Sequence, residues 1–348
     1  MKKILPIILS ILLAAILILS GCSEPEYTTV TDTQTITSTV PVTITETITT
    51  TTTETMFINQ INWKWIKPIP QSNTLFGVWG SSSTDVYAVG VAGTILHYDG
   101  TSWSLMESGT ASDLRDIWGT SSSNIFAVGR NGTILHYNGN TWNIMESNTD
   151  DNMRAIWGSS PDDVYAVSLS DTIFHYDGTS WNISWQYEYG VTTSSSEMHN
   201  FNDVWGSSST DVYVVGRHGF YGVIMHYDGN SWSYMYDGES ESIFQGIWGS
   251  SASDIYAVGL GGAILHYDGD SWNFIESGND EIIKSIWGTS ASDIFTVTEK
   301  SSIYHFNGDS WIQVYSSKTN SFQNIWGISA NDIYIVGGDG TILHYDGN

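Results

Sequence analysis

The chain has 348 residues, with 37 Asp and Glu against 11 Lys and Arg, and a formal net charge of −26. That balance excludes nucleic acid and anionic headgroups as natural partners, because phosphates are held by clustered basic side chains; acidity on this scale serves solubility. A single cysteine leaves no intramolecular disulfide, so burial has to hold the fold.

The first 22 residues run from Lys2 and Lys3 through an apolar stretch, Ile4 to Leu19, into Leu19-Ser20-Gly21-Cys22. Charged start, apolar core and small-residue processing site are the order of an export signal. The Leu-Ser-Gly-Cys ending resembles bacterial lipoprotein signal peptides. That resemblance implies cleavage before Cys22, acylation of Cys22, and anchoring to the membrane with the rest of the chain on the extracytoplasmic side. The competing reading is an uncleaved anchor helix, for which the apolar run is slightly short of the roughly 20 residues a span needs. Residues 23–56 follow, threonine-rich from Tyr27 to Thr55. They lack the large side chains of a core and are expected to form an extended stalk. At about 3.3 Å per residue such a stalk reaches on the order of 100 Å.

From 57 to 348 one unit recurs. Its Trp-Gly pairs begin at Trp79, Trp118, Trp157, Trp205, Trp248, Trp287 and Trp326. Seven histidines, from His97 to His344, mark the same unit independently. Each unit holds four short apolar runs separated by turn residues, which is a four-stranded meander. In blade 1 the runs are 75–79, 86–89, 94–98 and 102–106, with Gly80 to Asp85 read as the first turn. Four strands repeated about every 40 residues predict an all-β, seven-bladed β-propeller. The seventh unit ends at Asn348 without a fourth strand, and its missing tryptophan stands at the other end, in Trp63. The strand around Trp63 is therefore expected to pair into the last blade and close the ring.

The runs Trp-Gly-Ser-Ser-Ser-x-Asp-Val-Tyr-Ala-Val-Gly, from Trp79, and Gly-Thr-Ile-Leu-His-Tyr-Asp-Gly, from Gly93, resemble the repeats of bacterial surface propellers. These are similar to the wider group of sialidase-type Asp-box, photosystem II assembly-factor and WD-type propellers. The resemblance covers Trp63 to Asn348. Asp99-Gly100-Thr101-Ser102-Trp103 is one residue short of an Asp-box, so the resemblance implies the fold and not sialidase chemistry.

Repeated residues are read as scaffold, and function is sought where the repeat fails. Nine extra residues lie between Trp181 and Trp205, and three more enter the hairpin from Arg217 to Gly222. In a meander both connections emerge on one face. Trp185, Tyr187, Tyr189, His199, Arg217, His218, Phe220 and Tyr221 are the resulting ligand-binding candidates, since aromatic faces with a few polar groups suit glycans and extended peptides. Three positions before the Trp-Gly tryptophan, Arg115, Arg154 and Lys284 are expected at the channel mouth on that face. The leading expectation is a monomeric, non-catalytic binding or scaffold module for glycan, peptide or envelope protein, without cofactor or metal. The alternative is a glycoside hydrolase or lyase, for which Asp116 and Asp203, two positions before their tryptophans, are the carboxylate candidates.

Overall fold

The computed structural model describes residues 62–66, 72–187, 198–238, 242–318 and 321–347. Seven four-stranded antiparallel sheets follow one another in the chain. In blade 1 the strands are Leu75–Ser82, Asp85–Gly90, Ile95–Tyr98 and Trp103–Met106, hydrogen-bonded in that order. Blade 7 is built from Phe322–Ser329, Asp332–Gly337 and Ile342–Tyr345, and its outer strand is Lys64–Ile66 from the opposite end of the chain. Lys64 lies opposite His344 and Ile66 opposite Ile342. Trp63 is buried and packs on Tyr345, centroids 5.7 Å apart. The ring therefore closes through the strand that the displaced tryptophan predicted, and each blade keeps only short edge strands.

The first strand of each blade is longer than its apolar run. In blade 1 Gly80, Ser81 and Ser82 belong to the strand, and only Ser83 and Thr84 turn the chain. Two register shifts, between Leu75 and Gly77 and between Gly80 and Ser82, make this possible. Polar residues hide the extension from a hydrophobicity reading, because they sit where bulges break the alternation. The second strand is the most enclosed: Val86 to Gly90 are all buried. A strand covered on both faces by neighbouring sheets reads as a continuous apolar run rather than an alternating one.

Three contacts repeat round the ring. The indole of one blade covers the glycine of the next: a β-carbon on Gly119 would stand 2.9 Å from Trp79 Cη2, and the same holds for Gly158 under Trp118 and Gly206 under Trp157. Within a blade, His97 Nε2 donates to Asp85 Oδ1 at 2.7 Å, Ser81 donates to the other carboxylate oxygen, and the Tyr87 ring stacks on His97. In blade 2 Asn124 replaces the aspartate, and in blade 7 Ile328 replaces the hydroxyl. Between blades, the fourth-strand tryptophan stands edge-on to the second-strand aromatic of the blade before, as Trp142 does to Tyr87 at 6.5 Å and 78°. These contacts account for the repeated Trp, Gly, His and Asp as scaffold.

Candidate functional site

The residues three before each Trp-Gly pair all line one cavity, of about 50 Å³, which places the first strands innermost. Phe76 is the apolar member, and the Arg115 guanidinium lies 4.0 Å above its ring. Arg115 also donates to Asp113 at 3.1 Å, and Arg130 shares that carboxylate at 3.3 Å. Lys284 donates to Gln245 at 3.5 Å. Among the described residues the Arg154 guanidinium has no hydrogen-bond partner and no ion pair. Burial pushes its pKa down, and Asp116 and Asp203 oppose that shift.

Asp116 and Asp203 line the same cavity. Asp116 Oδ2 accepts the Ile156 amide of the following blade at 2.9 Å. Asp203 accepts Ile247 of the following blade and its own neighbour Val204, both at 2.9 Å. Asn324 and Ser285 do the same for Val78 and Ile325. The position is therefore an inter-blade clasp for backbone N–H groups on the open inner edge of the next sheet. The two aspartates follow blades whose residue here is Gly77 or Ala155, which bring no acceptor. Burial pushes the Asp116 carboxyl up to about 7, against the pull of the Ile156 and Ile117 amides and of Arg154. Burial and then the Asp116 charge push Asp203 up to about 8.

The second arrangement lies where the repeat fails. His199 begins the first strand of blade 4, His199–Ser208, and pairs with His218 at the end of the second, Asp211–His218. Their rings stack 4.3 Å apart and 8° from parallel. His199 is fully buried. Its Nδ1–H donates to Asp171 at 3.1 Å, its Nε2 accepts the Tyr234 hydroxyl at 2.8 Å, and its backbone N–H also donates to Asp171. His218 Nδ1 lies 2.9 Å from Asp237. Burial, followed by the charge of His218, pushes the His199 pKa down. Trp185 stands edge-on to His199 and Phe201, and Tyr187 packs on His199 at 4.9 Å. Arg217 donates to Asn200 at 2.7 Å.

The two insertions are thus neighbours, as a meander requires, but their members divide. Trp185, Tyr187 and His199 face inward and join blade 3 to blade 4. Phe220 and Tyr221, 66% and 46% exposed, point outward, together with Leu169 and Met198 of the same rim. Tyr189 and Cys22 lie outside the described residues. Asp171 is the member that sequence reading missed. It occupies, at φ +58°, a hairpin position where Gly93, Gly132, Gly262 and Gly340 stand in other blades. A glycine replaced at a left-handed position was the available signal. Also missed was a cleft of about 340 Å³ between blades 2 and 3, lined by Phe174, Trp181, Ile183 and Gln186 among others.

No family model matches the sequence, and a search of curated proteins returns no match. Solved structures do match, a β-propeller domain among them. YCF48 bound to D1 peptide is 15% identical, with a TM-score of 0.65 over 81% of this chain and 96% of its own. YCF48 from Cyanidioschyzon merolae is 14% identical, with a TM-score of 0.66 over 81% and 98%. The WD40 propeller domain of Doa1 gives 12%, 0.67, 82% and 96% in the same order. A catalytically inactive virginiamycin B lyase from Staphylococcus aureus, with quinupristin, gives 11%, 0.64, 81% and 98%. At these identities the likeness is one of fold, and it defines this chain as a seven-bladed β-propeller.

Proposed function

We propose that the protein is a lipid-anchored, surface-displayed binding module that captures an extended peptide or envelope protein on the blade 3 and 4 rim. Anchoring at Cys22 and elevation by the threonine-rich stalk are the sequence expectations this reading adopts. The observation that carries it is the exposed apolar set Leu169, Met198, Phe220 and Tyr221, at the one blade with both insertions. Exposed apolar clusters on an otherwise polar surface mark interaction sites. The Asp171–His199–Tyr234 network, in which Asp171 and His199 are buried, fixes the backbone beneath, which lowers the ordering cost of binding. YCF48 bound to D1 peptide supports a peptide ligand for this fold as analogy alone.

The channel cavity, about 50 Å³, falls far below the roughly 300–1,000 Å³ of ordinary ligand pockets. Asp116 and Asp203 are already engaged as inter-blade clasps. Both facts favour binding over glycoside cleavage. Saturable binding of the full chain to envelope protein fractions tests the reading. Phe220→Ala with Tyr221→Ala is expected to weaken it at least tenfold, about 1.4 kcal/mol, while Ile144→Ala, an equally exposed apolar residue on blade 2, leaves it unchanged. Equal binding by all three proteins contradicts the assignment. Binding retained after protease treatment of the fraction and lost after glycan removal would replace the peptide with a glycan.

A further inference from the structure

We propose that the channel mouth is a binding site for a small oxyanion of carboxylate or sulfate size, held by Arg154 with Arg115 and Lys284 around it. A chain of net charge −26 has few cations to place, yet three of them, from blades 2, 3 and 6, line one cavity of about 50 Å³. Burial lowers the pKa of both Arg115 and Lys284, and the charge of Arg154 adds to it, after that of Arg130 in the case of Arg115. Asp113 compensates Arg115. Arg154 has no such partner among the described residues, and leaving a recessed guanidinium without hydrogen bonds is costly.

The carboxyls nearest Arg154 do not fill that role. Asp116 and Asp203 accept backbone amides of the next blades. Both carboxyls are also pushed toward the neutral form at physiological pH. Gln245 accepts from Lys284 through Oε1, which leaves its amide N–H groups available to the cavity. Asp116 and Asp203 also line the cavity, but with their oxygens engaged by backbone amides the groups left to meet a ligand include the Arg154 guanidinium and the Gln245 amide N–H groups, the complement of an anion with several oxygens, and a guanidinium fork suits planar or tetrahedral oxyanions. The volume admits one such group, so a larger ligand would enter by its carboxylate or sulfate alone. This site is independent of the apolar rim proposed above.

Calorimetric titration and thermal unfolding of the full chain with sodium sulfate, sodium acetate and sodium glucuronate, at ionic strength held constant with sodium chloride, test the site. At least one of the three is expected to bind saturably and raise the unfolding midpoint above the chloride control. Arg154→Gln and Lys284→Gln are each expected to weaken that binding at least tenfold. Arg130→Gln, which removes a half-exposed arginine already paired with Asp113, leaves it unchanged. Should Arg154→Gln not fold, Lys284→Gln carries the same prediction. A response to sulfate alone upholds the site for a free tetrahedral anion, and a response to acetate and glucuronate upholds it for a carboxylate-bearing ligand. No response beyond chloride, or equal responses from wild type and the Arg154 and Lys284 variants, overturns it.

Discussion

The Trp326 indole lies against the α-carbon of Gly80, so close that a β-carbon there would stand 2.9 Å from Trp326 Cη2. This contact joins the last blade to the first, and the other blade junctions copy it. The glycine is required by close approach and not by backbone conformation, since Gly80 has no positive φ. Gly80→Ala is expected to destabilise the ring by about 1–3 kcal/mol, the usual cost of overpacking. Gly338→Ala meets nothing nearer than 3.5 Å and is expected to stay within about 0.5 kcal/mol of wild type. Denaturant unfolding of the two variants checks both values.

The outer strand of blade 7 makes a second prediction. Trp63→Ala empties a buried site against Tyr345 and is expected to cost about 3–5 kcal/mol. Because the strand closes a ring, the loss should lower a single cooperative transition. Unchanged thermal unfolding after deletion of residues 57–67 would contradict closure.

Asp116 and Asp203 set a loss of stability as pH rises from the acid range. Their folded pKa values, about 7 and about 8, stand above the unfolded value of about 3.9. Their contribution to stability is therefore fully present below about pH 4 and is lost as pH rises through 7 and 8. Arg154 faces both carboxyls, and Arg115 and Lys284 line the same cavity, so the loss is moderated rather than abolished. The unfolding midpoint is expected to fall between about pH 4 and pH 8 and to level off above that range. Asp203→Asn, which cannot ionise, should flatten that fall and start from a lower midpoint at about pH 4, because its amide presents a donor to one of the two backbone N–H groups. A wild-type midpoint flat across this range contradicts the account.

The stacked histidines set the opposite dependence. Burial and His218 lower the His199 pKa, while Asp171 and Asp237 oppose them; Tyr187 and Tyr234 pack on the same ring. A depressed histidine contributes stability above its unfolded value of about 6.5 and loses it as pH falls. Hydrogen-exchange protection of the blade 4 hairpin, corrected for the intrinsic exchange rate, should therefore fall on acidification. His218→Phe keeps a flat ring on His199 without the second charge and should weaken that response.

Much of this architecture was legible in the chain because scaffold chemistry repeats. Trp63 could be assigned to blade 7 by spacing alone, and the first-strand ring through Arg115, Arg154 and Lys284 followed from the position of Trp-Gly. The bulges were not legible, since Gly80 to Ser82 look like a turn in composition. Nor was the role of Asp116 and Asp203: their pairing with backbone amides of the next blade depends on inter-blade register, which no local pattern encodes. His199 and Phe220 looked alike as insertion residues, and only packing separated the buried brace from the exposed surface.

The central claim, that ligand is captured on the blade 3 and 4 rim, is tested most directly by a photo-crosslinking residue placed at Phe220 and, separately, at Lys300, in the matching hairpin of blade 6. In producing cells the account predicts one discrete adduct from position 220 and none from position 300. Equal adducts from both positions, or none from position 220, would contradict it.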